Sequence, residues 1–236
     1  MSIQTNIQEV RQRIAAACGE CGRDPKEITL VGASKMNDAA ACREAIAAGI
    51  DVLGENRVQE MTEKLSQNAY DGAPLHFIGH LQRNKVKQVV GKVDLIQSVD
   101  SQHLLQAIAK QADKLGIRQD ILLEVNIGGE ASKGGCPVDE LPALAELARS
   151  LPQVRLRGLM AIPPISTEPG ANRPYFAKMR QLYIDMGGKM SDNQSDMDCL
   201  SMGMSADFAD AIAEGATLVR VGTALFGPRP PMHPAG

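Results

Sequence analysis

Apolar residues along this chain follow two periods, one typical of helices and one typical of strands. From Ile3 to Glu20 they recur at spacings of three and four, and Gly19 and Gly22 mark the end, which predicts a first helix over residues 3–20. Beyond this helix, short β-rich runs alternate with helical stretches. The eight β-rich runs are Ile28–Ala33, Asp51–Gly54, Leu75–Gly79, Val93–Val99, Ile121–Asn126, Val154–Ile162, Cys199–Met202 and Thr217–Val221.

Strand–helix alternation is typical of βαβ units and parallel strands. Eight units in 236 residues allow about 30 residues each, as an α/β protein of the (β/α)₈ TIM barrel type requires. An open doubly wound sheet is the alternative, but its usual GxGxxG turn is absent after the first strand, where the chain reads Val31-Gly-Ala-Ser-Lys-Met. We therefore predict a single barrel domain over residues 1–229 and a short irregular tail over 230–236. The helical stretches between the strands are Ala39–Ala48, Val58–Asn68, Arg83–Val90, Gln102–Leu115, Val138–Leu151, Ala177–Gly187 and Ala206–Ala213.

Composition and charge narrow the range of partners and locations. The chain is 44% hydrophobic and 22% charged with a net charge of −3, so it lacks the basic excess typical of nucleic-acid-binding proteins. No apolar run reaches the ~20 residues that span a bilayer. The first residues have neither the basic flank nor the apolar stretch of a signal peptide. We expect a soluble cytoplasmic protein without membrane or nucleic-acid partners.

The five cysteines are odd in number and scattered, which does not suggest a disulfide framework. Cys18 and Cys21 have the CxxC spacing of a redox motif or of half a zinc site. No second CxxC follows, and no helical histidine pair is available to complete four ligands. We interpret the pair as small residues at the end of the first helix and expect no metal.

The segments after the seventh and eighth predicted strands suggest an anion site, because function in such barrels lies at the carboxyl ends of the strands. Gly203 and Gly222 allow backbone N–H groups to approach an anion. Ser201, Ser205 and Thr223 add hydroxyl donors, and helices beginning near Ser205 and Thr223 would add the positive ends of their dipoles. The pattern predicts a phosphate site; the alternative is ordinary turn glycines and helix caps.

Lys35 ends the first strand, and barrel closure makes that strand the neighbour of the eighth. An amine beside a phosphate site suits two chemistries. One is an aldolase-type Schiff base with a phosphorylated substrate; the other is an internal aldimine with pyridoxal 5′-phosphate (PLP). A surface lysine whose apolar stem lies along the protein is the third possibility.

Arg220 lies two residues before Gly222, and strand alternation can turn its side chain inward. A guanidinium facing a pyridine nitrogen would keep that nitrogen unprotonated, because arginine stays charged. This arrangement favours PLP with a weakened electron sink. Alternatively, Arg220 is a further phosphate ligand.

The residues around these positions resemble the pyridoxal phosphate homeostasis protein family in sequence blocks that run in order from residue 31 to 229. The resemblance implies a fold like the N-terminal barrel of alanine racemase, with an extra N-terminal helix and no C-terminal β domain. The blocks are Val31-Gly-Ala-Ser-Lys35, Leu53-Gly-Glu-Asn-Arg-Val-Gln-Glu60, His76-Phe-Ile-Gly-His-Leu-Gln-Arg-Asn-Lys85, Gly158-Leu-Met-Ala-Ile-Pro163, Leu200-Ser-Met-Gly-Met-Ser-Ala-Asp207 and Val219-Arg-Val-Gly-Thr-Ala-Leu-Phe-Gly227.

The resemblance also implies a set of cofactor-binding residues. PLP would be bound on Lys35, with Arg220 towards the pyridine nitrogen and Asn56 near the ring. Asn56 has an alternative role as the N-cap of the following helix. The residues implied around the phosphate are Ser201, Gly203, Gly222 and Thr223. Ala33 and Met36, which flank the lysine, depart from the pattern we expect.

A racemase needs a second acid or base on the opposite face of the cofactor, which alanine racemase takes from its C-terminal domain. The three tyrosines, Tyr70, Tyr175 and Tyr183, do not lie at strand ends. His80 is a candidate base, or a loop histidine with a local hydrogen bond. We therefore predict a protein that carries or buffers PLP without turnover. The alternatives are a PLP-dependent racemase or decarboxylase and a Schiff-base barrel enzyme without PLP.

A carrier would deliver PLP to apo-enzymes that depend on it, so transient contacts with such enzymes are expected. Lys133, in a glycine-rich loop after the fifth strand, could receive PLP during this transfer or be a solvated loop charge. A monomer is expected, because the missing second domain removes one familiar dimer contact.

Overall fold

The computed structural model describes residues 2–130, 133–166, 168–188 and 197–227, so the predicted tail at 230–236 lies outside the described residues. Eight parallel strands close into a barrel in chain order, which confirms the predicted fold class. Each strand begins and ends within two residues of its predicted boundaries. The strands are β1 (Thr29–Ala33), β2 (Val52–Glu55), β3 (Leu75–Phe77), β4 (Leu95–Val99), β5 (Gln119–Val125), β6 (Val154–Ala161), β7 (Cys199–Ser201) and β8 (Leu218–Val221).

Helices surround the barrel and cover its outer apolar layer. They are α1 (Ile3–Cys21), α2 (Ala39–Ala47), α3 (Val58–Leu65), α4 (Val86–Val89), α5 (Gln102–Leu115), α6 (Leu141–Ser150), α7 (Arg173–Gly188), α8 (Phe208–Ala213) and α9 (Thr223–Phe226). The predicted N-terminal helix is present as α1, which buries Ile7, Val10 and Ile14 and contacts α8, α9 and α2. Gly22 ends α1 in the left-handed conformation, as an αL cap requires.

The interior of the barrel has an apolar part and a polar layer. The apolar part consists of Val31, Val52, Leu95, Leu122, Met160, Cys199 and Leu218. Two residues further along four of these strands, the inward positions are polar and buried: Gln97, Glu124, Ser201 and Arg220. Because strand side chains alternate with a period of two, this polar layer lies on the carboxyl-end side of the apolar one.

Some helix boundaries differ from the prediction. The helix α8 begins at Phe208 and not at Ala206, because the chain forms a turn in which Asp207 Oδ1 accepts the N–H of Met204 at 2.7 Å. Residues 83–85 form a 3-10 turn ahead of the short α4. All five cysteines are free thiols, with Cys18 buried on α1. Within the described ranges, no helix combines the length and apolar character needed to cross a membrane.

Candidate functional site

The barrel closes by parallel pairing of β1 with β8, and this seam brings Lys35 beside Gly222. Val31 pairs with Arg220, and Gly32 pairs with Val221, so the turn after β1 adjoins the start of α9. A cleft opens at this point. Its lining residues are Ala33, Lys35, Met36, Asn37, Gly222, Thr223, Phe226 and Gly227. The structure therefore brings together three of the residues singled out in the sequence.

Gly222 is the N-cap residue of α9 and lies against β1. A Cβ atom at this position would come within 3.3 Å of the Ala33 carbonyl oxygen, so the close approach of the two strand ends favours glycine. The first amides of a helix have no partners within the helix. The start of α9 therefore presents backbone donors at the cleft, as a phosphate requires.

Gly203 lies in the loop after β7, at a point where this loop packs closely against α8. Its φ of +90° is a conformation that favours glycine. An added Cβ would lie 2.5 Å from Ala211 Cβ and 2.9 Å from Phe208 Cα. Its carbonyl accepts the N–H of Arg220 at 3.0 Å, which fastens this loop to β8.

A hydrogen-bonded chain crosses the polar layer of the barrel. Arg220 Nη1 donates to Ser201 Oγ at 2.6 Å, and Ser201 donates to Gln97 Oε1 at 2.6 Å. Gln97 Nε2 lies 2.9 Å from His76 Nδ1, and Arg220 Nη2 also donates to the Ala161 carbonyl at 2.9 Å. Arg220 thus faces inward, as strand alternation predicts, and the Ser201 hydroxyl is engaged within the barrel.

Burial shifts the pKa values of the ionisable groups in this layer. Burial lowers the pKa of Arg220 to about 10, against the opposing effect of Glu124, so the guanidinium remains charged at neutral pH. Burial raises the pKa of Glu124 to about 7, with Asp100 adding to the rise and Arg220 opposing it. Burial also lowers the pKa of His76 to about 4, so this imidazole is neutral.

Three polar residues of the barrel interior are not among those predicted from the sequence: Gln97, Glu124 and His76. A usable signal exists for the first two, since each follows a buried leucine by two residues within a strand. A polar residue at such a position must face either the barrel interior or the helices. Only the direction of the preceding leucine decides which, and the sequence does not give that direction.

Asn56 follows β2 and is half-buried. The N-cap of α3 is Arg57, which makes no side-chain cap bond, so the alternative N-cap role for Asn56 is wrong. Among the described residues, its buried Oδ1 has no hydrogen-bond partner. An unpaired buried acceptor costs free energy, and a ligand donor would remove that cost.

Two further predicted candidates lie at the carboxyl-end rim. His80 is largely exposed, and its Nδ1 lies 3.6 Å from Asp100 Oδ2. Lys133 Nζ donates to the Pro163 carbonyl at 2.6 Å and lies 3.1 Å from Glu130 Oε2. Lys133 therefore connects the loops after β5 and β6, so it is more than the solvated loop charge considered as its alternative.

Comparison with known proteins first defines the class. Residues 2–230 match the family described as Alanine racemase, N-terminal domain. An alanine racemase from Clostridium difficile superimposes with a TM-score of 0.71 at 17% identity, covering 99% of this chain and 57% of that chain. At this identity the likeness establishes the fold alone. The protein is a barrel of the alanine racemase N-terminal type.

Closer relatives define the family within this class. The Pyridoxal phosphate homeostasis protein of Aquifex aeolicus is 44% identical over 97% of this chain and 99% of its own length. Its counterpart from Escherichia coli K12 is 40% identical over 96% and 97%. The structure of PipY from Synechococcus elongatus with PLP bound has a TM-score of 0.82 at 35% identity, covering 96% of this chain and 100% of PipY. The chain belongs to the pyridoxal phosphate homeostasis protein family.

Proposed function

We propose that this protein binds PLP and carries or buffers it, with the cofactor attached covalently to Lys35. One observation carries the proposal: Lys35, Gly222 and Thr223 line a single cleft at the β1–β8 seam. An amine and backbone donors in the lining of one cleft match the aldehyde and the phosphate of PLP. The names of the relatives and the PLP bound to PipY support the same cofactor.

The residues present fit this cofactor. Gly222 and Thr223 would hold the phosphate with the first amides of α9, together with the loop that carries Ser201 and Gly203. The Ser201 hydroxyl already bonds to Arg220 and Gln97, so we assign its contribution to the loop backbone. Asn56 Oδ1, which has no hydrogen-bond partner in the described part of the chain, would contact the ring of the cofactor.

Arg220 limits what the bound cofactor would do. When bound, PLP supplies an aldehyde for amines and a conjugated ring that withdraws electrons. That withdrawal is strongest when the ring nitrogen is protonated, and Arg220 has no proton that it readily gives up. Its guanidinium has five N–H donors, of which the bonds to Ser201 and Ala161 use two. We propose that a remaining donor faces the ring nitrogen and keeps it unprotonated.

As part of the same proposal, the protein binds PLP without catalysing a reaction on it. Two tyrosines donate to groups that do not line the cleft: Tyr70 donates to Glu55 at 3.0 Å, and Tyr183 donates to the Met197 carbonyl at 2.7 Å. Tyr175 packs on the outer core, and His80 is largely exposed beside Asp100. No tyrosine is therefore available as a base at the cleft. We propose a monomeric cytoplasmic carrier that meets apo-enzymes transiently.

The proposal is tested by the absorption spectrum of the purified protein after PLP is added. A yellow band that borohydride bleaches is expected in wild type and in Lys133→Ala, and its loss is expected in Lys35→Ala. A colourless wild type that gains no band would overturn the PLP assignment in favour of a barrel enzyme acting on a phosphorylated substrate. Steady conversion of an amino acid by the loaded protein would overturn the carrier role and indicate a PLP-dependent enzyme.

A further inference from the structure

A buried ion cluster is hydrogen-bonded to the turn that carries Lys35. It consists of Glu55, Glu60 and Lys64, with Lys64 Nζ 2.7 Å from Glu55 Oε1 and 2.8 Å from Glu60 Oε1. Lys64 is only 4% exposed and Glu55 is 0% exposed. A buried ion pair contributes little net stability, since desolvation offsets the attraction between the charges. The position of these charges in the fold therefore calls for another explanation.

The cluster holds both peptide groups that adjoin Lys35. On the preceding side, Lys64 Nζ donates to the Ser34 carbonyl at 2.8 Å. On the following side, the Met36 N–H donates to Glu60 Oε1. The Ser34 hydroxyl adds a bond to Glu55 Oε1 at 2.6 Å. One set of charges thus fixes the backbone immediately before and immediately after the lysine.

The turn needs such support, because Met36 has a φ of +64°. This left-handed conformation is unfavourable for a residue with a side chain, and it persists where surrounding contacts enforce it. The bond from Met36 to Glu60 is a contact of this kind, and Lys64 in turn holds Glu60 in place.

We infer that Glu60 and Lys64 are positioning residues for Lys35. They fix the backbone of the β1 turn so that the lysine amine and the Gly222 cradle keep the separation that PLP requires. This inference rests on the proposed function. It is distinct from cofactor binding itself, since neither residue lines the cleft.

The test compares Glu60→Ala, Glu60→Gln and Lys64→Met with wild type. Glu60→Gln keeps an acceptor for the Met36 N–H, whereas Glu60→Ala removes it. Tyr70→Phe is the matched control, because it removes a 3.0 Å bond to the same Glu55 Oε1 without touching the peptides of Lys35. Apo protein is mixed with PLP, and the rate of appearance of the yellow band and its circular dichroism are recorded. Thermal unfolding is measured for each apo variant.

Loss of positioning should slow attachment in Glu60→Ala and Lys64→Met by about tenfold or more, because small displacements of a reacting group have large effects on rate. The circular dichroism of the band should change with it. Glu60→Gln should recover most of the rate, and Tyr70→Phe should match wild type. If Lys64→Met fails to fold, the Glu60 pair alone decides, since Glu60 is partly exposed.

Failure of the proposed function can be distinguished from failure of this inference alone. A wild type without a yellow band would defeat the proposed function and the inference together. A normal wild-type band with unchanged attachment rate and circular dichroism in folded Glu60→Ala would defeat the inference alone.

Discussion

Arg220 Nη1 lies 2.6 Å from Ser201 Oγ, and the two side chains form the centre of the polar layer inside the barrel. The hydroxyl accepts a hydrogen bond from the guanidinium and donates one to Gln97 Oε1. One small side chain thus satisfies a buried charge on one strand and a buried amide on another.

Ser201→Ala should therefore lower stability more than the loss of one hydroxyl suggests. It removes partners from both Arg220 Nη1 and Gln97 Oε1, and leaving buried polar groups unsatisfied costs about 1–3 kcal/mol each. We expect the free energy of unfolding, measured with urea, to fall by about 3 kcal/mol. Ser205→Ala, in the loop that follows β7, is the control and should stay within about 0.5 kcal/mol of wild type. Equal stability of the two variants would show that the layer does not depend on Ser201.

Glu124 should make stability depend on pH. Folding raises the pKa of Glu124 from its ordinary value of 4.5 to about 7, so between these values the folded state binds more protons than the unfolded state. Stability contributed by this group therefore falls as the pH rises from about 4.5 to about 7 and is constant above. Glu124→Gln has no such proton to lose.

The measurement is the difference in unfolding free energy between wild type and Glu124→Gln across this range. Wild type should lose up to about 3 kcal/mol relative to the variant between the two ends. His76, with its pKa lowered to about 4, has the opposite dependence, but it is present in both proteins and cancels in the difference. A difference that stays flat with pH would contradict the raised pKa.

Asn56→Ala should weaken PLP binding without destabilising the apo protein. The substitution removes a buried acceptor that has no partner among the described residues, so the apo protein should be as stable as wild type or more stable. If Oδ1 contacts bound PLP, the variant should bind the cofactor about tenfold more weakly. Thermal unfolding and PLP titration give the two quantities. A variant with unchanged affinity would remove Asn56 from the proposed site.

Gly203→Ala should be strongly destabilising, because the added methyl group would lie 2.5 Å from Ala211 Cβ and the residue has a φ of +90°. We expect a loss of about 3 kcal/mol in unfolding free energy. Gly19→Ala is the matched control: it lies in α1 with open space around its Cβ, and alanine in a helix gains about 0.5–1 kcal/mol over glycine. Similar unfolding free energies for the two variants would show that the loop after β7 can shift to accommodate the added methyl group.

The sequence was sufficient to predict the barrel and the proximity of Lys35 to Gly222. Strand periodicity and chain order determine which strand ends meet, so the neighbourhood of β1 and β8 follows from counting units. The start of α8 was misplaced, since Asp207 bonds to Met204 within a turn that no propensity identifies.

The Glu55–Glu60–Lys64 cluster was not predicted, although the sequence contains a signal for it. Val58 and Met61 form an apolar helical stripe, and Lys64 occupies the next position on the same face. A lysine on a buried stripe ordinarily turns outward to solvent. Only the tertiary arrangement shows that Glu55, at the end of a neighbouring strand, keeps this amine inside.

The β1–β8 seam has a consequence for how the protein is made. Lys35 comes from an early part of the chain, whereas Gly222 and Thr223 come from a late part, and the cleft exists only where these meet. A nascent chain therefore cannot assemble the proposed PLP site until the segment carrying β8 has left the ribosome and closed the barrel. Acquisition of the cofactor would then mark the completed fold, and incomplete chains would not withdraw PLP from the cell.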